Sequence, residues 1–359
     1  MSSLKKEDER DMQKKCLLLV FLTLFTAFWG VGCSHHSRYG FVTSTGLFEF
    51  SMDHFFSYYL NDASLFKDVA PPDTPDTSNR KNDNKYQVHY CDQGKGPVLL
   101  LLHGFTASLH TWNVWVDALK GKYRIIRLDI LGFGLTGPSK TNTYSRDDWV
   151  KFIDNFVKEL NVDKFSIAGN SLGGYIAWNY ALDYPQKVDK LILIDPIGYP
   201  QNAPFLLDLA CFPVVGELGK LMMPRTIVKL CLKDVYGDKS LVSEDLVDLY
   251  FAMASRPGAR EAYIEIFRKM KTASKQTDIG DRIKNISHPT LIMWGENDRW
   301  VPVNLVDRWI QDVPHAAVKI YPGLGHIPME EKPYLTAEDA DRFLSNQFTA
   351  CGQNQKKIQ

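Results

Sequence analysis

Ser171 stands between Gly169 and Gly173, with Gly174 directly after, in the stretch "FSIAGNSLGGYIAWNY" (165–180). An apolar run ends at Ala168, and helical spacing begins after the serine. A plain turn needs one glycine. Three imply a serine held in strained backbone, where the strand and the helix crowd each other. Such an elbow lifts a hydroxyl above the sheet edge, with a helix N-terminus beneath it that favours developing negative charge. The G-x-S-x-G pattern arises by chance in roughly one of eight to ten chains of this length. Its weight therefore comes from the strand before it and the helix after it.

A serine hydroxyl at neutral pH is a weak nucleophile and needs a base, which in turn needs an orienting carboxylate. After an elbow of this kind the partners follow in the order serine, acid, histidine. Three histidines come after Ser171: His288, His315 and His326. The first two precede apolar runs and would sit at the wrong end of a sheet. His326 follows the last run, in the glycine-flanked "YPGLGHIPMEE", and is the expected base. For the acid, "LIMWGENDRWVP" offers Glu296 and Asp298. Asp298 is favoured because two turn residues past the run let its carboxylate swing toward the histidine. Asp195, closing "KLILID", is the rival. An oxyanion would need N–H donors, expected from Leu172, after the serine, and Phe105, in "HGFTAS". His103 and Gly104 would shape that loop. His103 precedes the serine and is not the expected base.

The elements that must position these groups read as strands alternating with helices. "YQVHYC" alternates as a strand does, and "PVLLLLHG" (97–104) and "YRIIRLDI" (123–130) are apolar runs expected to be buried on both faces. "HTWNVWVDALKG" and "SRDDWVKFIDNFVKEL" (145–160) have helical spacing, as do residues 172–183; "KLILID", "PTLIMWG" and "AVKIYPG" resume the strand pattern. Between 199 and 285 no strand is legible. Three helices are expected there, the second capped by Ser243. This is a parallel α/β core interrupted by an all-helical insertion.

Composition narrows the partners. Lys plus Arg number 42 and Asp plus Glu 42, so there is no basic excess to bind nucleic acid. Lys14-Lys15 precede "CLLLVFLTLFTAFWGVG" (16–32), which has no charge and, as a helix, would span about 25 Å. A basic flank, an apolar stretch and small residues predict an export signal. "GVGCS" is similar to a bacterial lipobox with Cys33 as the lipidated residue, although Gly30 stands where leucine is usual. Lipidation of Cys33 and retention of an uncleaved anchor both stay open. Either makes the protein exported and membrane-associated, and lipidation would give an outer-membrane or periplasmic address. The spacing of Cys91, Cys211, Cys231 and Cys351 fits no metal motif, and no metal or cofactor is expected. Cys211 and Cys231 could pair or remain thiols.

Taken in order, "LLLHGF", "DILGFGLTG", "GNSLGG", "WGENDRWVP" and "GLGHIPMEE" resemble the α/β-hydrolase superfamily over about residues 84–348. "HGFTASLHTW" and "GNSLGGYIAWNYALDYPQKVDKLILID" are similar to the Moraxella/Psychrobacter type (family V) of bacterial lipases. The resemblance implies an α/β-hydrolase fold, with a mostly parallel central sheet flanked by helices and a helical cap inserted between the sixth and seventh strands. The expected organisation is a leader or anchor (1–37), an N-terminal extension and linker (38–84), core (85–198), cap (199–285), core (286–348) and a C-terminal tail (349–359). The implied activity is hydrolysis of acyl esters, small-molecule or lipid, through an acyl-enzyme on Ser171, with Asp298 and His326. A serine at the elbow argues against dehalogenase and epoxide hydrolase chemistry, which use aspartate there. Asn170 also precedes the serine in hydrolases that cleave C–C bonds of ring meta-cleavage products, and that is the alternative activity. A non-catalytic ligand-binding protein on this fold is the other class, disfavoured because all three triad members are present.

Overall fold

The computed structural model describes residues 59–60, 63–72, 85–202, 204–274 and 279–347. The expected leader with Cys33, the C-terminal tail and much of 38–84 lie outside them. Among the described residues, no helix is long and apolar enough to cross a membrane.

Eight strands form one sheet: β1 (Ser64–Val69), β2 (Tyr86–Gln93), β3 (Val98–Leu102), β4 (Arg124–Leu128), β5 (Phe165–Asn170), β6 (Val188–Ile194), β7 (Thr290–Gly295) and β8 (Ala317–Tyr321). Their order is β1-β2-β4-β3-β5-β6-β7-β8. β1 and β2 pair antiparallel, as do β2 and β4; every other pairing is parallel. The apolar runs are covered on both sides, as their composition requires. In β3, Leu100 and Leu102 join one core while Leu99 and Leu101 join the other. In β6, Leu191 and Leu193 divide from Ile192 and Ile194 in the same way.

Helices α1 (Asn113–Leu119), α2 (Arg146–Glu159) and α3 (Leu172–Asp183) connect β3 through β6. Helix α2 places Trp149, Phe152, Ile153, Phe156 and Val157 on the core that holds Leu100. Ser145 caps it, accepting from Asp148 N–H while the Asp148 carboxylate takes the Ser145 N–H. Between β6 and β7 lie α4 (Phe205–Ala210), α5 (Pro213–Leu221), α6 (Arg225–Val235), α7 (Glu244–Ala254) and α8 (Ala259–Ser274), an all-helical cap at the expected place. Ser243 does cap α7, accepting from Leu246 N–H at 3.2 Å. Helices α9 (Val306–Asp312), α10 (Pro328–Glu331) and α11 (Pro333–Leu344) complete the core.

One expectation needs correcting. Residues 64–69 fall in the segment read as extension and linker, yet they form an edge strand of the sheet. Leu65 and Phe66 are both exposed, so the strand shows no clean alternation that the sequence could reveal. No disulfide joins Cys211 and Cys231.

Candidate active site

Ser171 sits between β5 and α3 with φ 53° and ψ −113°, a conformation that costs a side-chain-bearing residue energy. The crowding that enforces it is measurable. A Cβ on Gly169 would lie 2.2 Å from Gly173 O, and one on Gly173 would lie 2.3 Å from Leu102 O. Ser171 N–H donates to Ile194 O of β6 at 2.9 Å, which locks the turn to the neighbouring strand. The serine is 4% exposed.

His326, in the loop after β8, faces Asp298, in the loop after β7: Nδ1 to Oδ2 is 2.7 Å. The other Asp298 oxygen accepts from Trp300 N–H (2.7 Å) and Val301 N–H (2.9 Å). The carboxylate thus takes the Nδ1 proton and leaves Nε2 as the basic nitrogen. The Trp300 ring stacks on the imidazole at 5.7 Å. His326 N–H donates to Val235 O, at the end of α6, and its carbonyl accepts from Asn170 Nδ2 at 3.0 Å. Sequence reasoning gave Asn170, Trp300 and Val235 no role in the site. Asn170 was adjacent to the serine, but only the fold reveals that it grips the histidine loop.

The other acidic residues separate cleanly. Glu296 is exposed and accepts from Gly323 N–H at 3.1 Å. Asp195 is wholly buried, with one oxygen accepting from Gly295 N–H at 2.9 Å and the other facing no donor. Its carboxyl lies in one cluster with those of Asp298 and the imidazole of His326, all within 4.8 Å. Burial and the adjacent Asp298 charge raise its pKa well above the usual carboxylate value. Of the remaining histidines, His288 bonds Pro185 O and His315 bonds His288 O, away from Ser171.

His103 is fully buried; Nδ1 donates to Gly104 O at 2.7 Å and Nε2 accepts from Ile130 N–H at 3.0 Å. Burial lowers its pKa, which keeps it neutral and fixes the loop carrying Phe105. Among the described residues, the N–H groups of Phe105 and Leu172 have no hydrogen-bond acceptor. Ser171, Gly104, Phe105 and His326 all border one cavity of about 240 Å³. The cap closes it with Leu218, Met222, Ile227, Val228, Leu232 and Phe267, and among the described residues no Lys, Arg, Asp or Glu lines it. A nucleophile, a base with its orienting acid, and two free N–H donors, Leu172 at a helix start and Phe105 in the loop after β3, together suit acyl transfer to serine.

A family model for the alpha/beta hydrolase fold matches residues 97–213 and 256–333. An uncharacterized hydrolase of Bacillus subtilis, YugF, is 30% identical over 266 residues, covering 73% of this chain and 94% of that protein. A 2-hydroxy-6-oxo-2,4-heptadienoate hydrolase of Pseudomonas putida is 27% identical, covering 70% of this chain and 94% of that one. Among solved structures, a meta-cleavage product hydrolase of Pseudomonas fluorescens has a TM-score of 0.67 at 24% identity, covering 79% of this chain and 98% of that one. A membrane phospholipase A has a TM-score of 0.61 at 24% identity, covering 79% and 87%. At that identity the two structures bear on the fold alone. With its sheet order, elbow and family match in agreement, the chain belongs to the α/β-hydrolase fold family and is a hydrolase.

Proposed function

We propose that the chain is a carboxylic ester hydrolase acting on esters with apolar acyl groups. Ser171 Oγ attacks the acyl carbon while His326 Nε2 takes its proton. The N–H groups of Phe105 and Leu172 receive the oxyanion. The imidazolium, held by Asp298, then protonates the departing alkoxide, leaving an acyl-enzyme that water cleaves by the same steps. The single observation that carries the choice of substrate is the cavity: apolar along the cap, with no charged side chain in its lining among the described residues.

The same triad can cleave C–C bonds next to a carbonyl, and the Pseudomonas putida relative's name favours that second reading. A dienoate, however, is a carboxylate. Burying it among Leu218, Val228 and Phe267 without a cation would cost several kcal/mol, on the order seen for unpaired buried charge. That cost favours the ester. Neither curated relative described above is a lipase of the Moraxella/Psychrobacter type, so the resemblance to that group rests on the motifs. The decisive experiment measures kcat/KM for p-nitrophenyl esters of increasing acyl length beside a 2-hydroxy-6-oxo-dienoate, with Ser171→Ala as control. Ester turnover rising with chain length is expected; a higher kcat/KM for the dienoate rejects the ester reading.

We also infer an exported, membrane-associated location, supported by the uncharged residues 16–32 behind Lys14-Lys15. Radiolabelled palmitate should enter the chain and not its Cys33→Ser variant if Cys33 is lipidated. Absence of label, with the full-length mass in the membrane fraction, points to the anchor.

A further inference from the structure

Helix α5 is apolar on a face that nothing in the described structure covers. Val214 and Leu221 are each 71% exposed, and Phe212, just before the helix, 58%. At about 100° per residue, Val214 and Leu221 lie on one line of the helix. Beside them run Val215, Leu218, Gly219 and Met222, which line the cavity. The polar stripe is narrow: Glu217 pairs with Lys220 at 2.8 Å and with Arg268 at 3.4 Å. The apolar sector is therefore wider than contact with the cavity requires, and exposed apolar surface of this kind marks an interaction site.

The cavity opens on the same side. Its floor residues Ser171, His326 and Leu232 are buried, whereas its wall residues Leu207, Ala210 and Leu218 are partly exposed and Met222 is exposed. One side of α5 is thus the cavity wall, and the adjoining side faces out.

We propose that Phe212, Val214 and Leu221 dock the cap into the acyl-chain layer of a lipid bilayer, so that substrate esters enter the cavity from the bilayer beside α5. Three observations choose the bilayer over other occupants. The flanking charges are few and paired, Glu217 with both Lys220 and Arg268, leaving a single net positive charge and no cluster of like charges to recognise an ionic partner. A second copy seated here would cover the wall through which substrate must pass. The chain also carries an uncharged stretch, 16–32, and residues 33–58 could extend at most about 90 Å, enough for the cap to reach a bilayer that holds that stretch. The inference rests on the ester reading only for what enters; docking itself does not require it.

The test uses the full-length chain with phosphatidylcholine vesicles. Amide hydrogen exchange over 213–221 should slow on adding vesicles, and salt should not reverse it. Phe212→Ser, Val214→Ser and Leu221→Ser together should remove that protection. They should cut hydrolysis of a vesicle-embedded long-chain ester at least tenfold, while kcat/KM for soluble p-nitrophenyl acetate stays within twofold. No protection on vesicles, protection only with anionic lipid and low salt, or protection that grows with protein concentration in the absence of lipid would each overturn the proposal. Vesicle protection in a chain that hydrolyses no ester would support docking and reject the ester reading.

Discussion

Asp195 and Asp298 share one buried cluster with His326 but are bonded differently. Asp298 accepts from two backbone N–H groups and from the imidazole N–H. Asp195 receives one backbone N–H, and its other oxygen meets no donor. Burial and the Asp298 charge raise the pKa of Asp195, and a proton on that oxygen would satisfy it by donation toward Asp298. An amide has the same shape and donates in the same way, so Asp195→Asn should keep turnover within a few-fold. Asp298→Asn should lose about 10⁴-fold in kcat, because the amide no longer holds the imidazole tautomer or its cation. Steady-state kinetics on a p-nitrophenyl ester decide it, and the reverse pattern would transfer the acid's role to Asp195. Stability gives an independent check. With its folded pKa raised above the usual 3.8, Asp195 binds a proton that the unfolded chain releases, so its contribution weakens as pH rises above about 4. Thermal unfolding of Asp195→Asn should therefore gain on the parent as pH rises above about 4. The sequence favoured Asp298 from its place in the turn after an apolar run and kept Asp195, which closes such a run, as the rival; the contact of Asp298 Oδ2 with His326 Nδ1 is what distinguishes them in the fold.

At the scale of elements, the elbow was legible because its causes are local. Glycine positions, a β-to-α switch and helical spacing lie within sixteen residues of chain, and α3 spans the 172–183 expected. Gly173 has no room for a methyl group, with Leu102 O at 2.3 Å and His103 O at 2.5 Å from its would-be Cβ. Gly173→Ala should force β3 and α3 apart, costing on the order of 3 kcal/mol and at least a hundredfold in kcat, since a displacement of about 1 Å has that effect on a reacting group. A variant with wild-type Tm and kcat would show that the elbow tolerates looser packing. What the sequence concealed is the clamp between cap and core. The end of α6 reaches both catalytic loops, through Val235 O to His326 N–H and through Asp234 Oδ2 to Trp300 Nε1 at 3.0 Å. Glu331 joins them, accepting from Gly325 N–H and Asp238 N–H. The bonds that join cap to core link residues 60 or more positions apart, and no periodicity signals such pairs. Helices α4 and α5 fall outside the three helices expected in the insertion; α5 is apolar on its outer face as well, so its spacing shows no clear polar side.

Across the whole molecule, Asp129 ties the N-terminal edge to the oxyanion side of the site. Wholly buried, it accepts from Leu109 N–H (2.9 Å), Leu135 N–H (2.7 Å), His89 Nδ1 (2.8 Å) and Tyr59 Oη (3.1 Å). His89 Nε2 in turn is hydrogen-bonded to Ser64 Oγ at 3.1 Å, which pins the edge strand β1. One carboxylate thereby gathers residue 59, β2 and the loops after β3 and β4, including Ile130, whose N–H orients His103. In the sequence Asp129 was only the first letter of "DILGFGLTG"; apart from Leu135 in that same stretch, its partners come from 20 to 70 positions away in separate elements. Burial alone would push its pKa up, but the His89 hydrogen bond and charge and the backbone donors bring it to about 2. A carboxylate depressed in the fold stabilises fully above its unfolded pKa and loses that contribution as pH falls through the folded value. Here the loss runs from about pH 4 to pH 2 and amounts to on the order of 2 kcal/mol. Asp129→Ala should cost more, about 3–5 kcal/mol at pH 7, because it strands buried donors as well as removing the charge. Asp129→Asn cannot ionise, so its deficit against the parent should shrink between pH 4 and pH 2.5. Urea midpoints of parent and Asn variant at pH 7, 4 and 2.5 measure this directly. Curves that fall in parallel across the acid window would mean that Asp129 holds these segments by shape alone, without its charge.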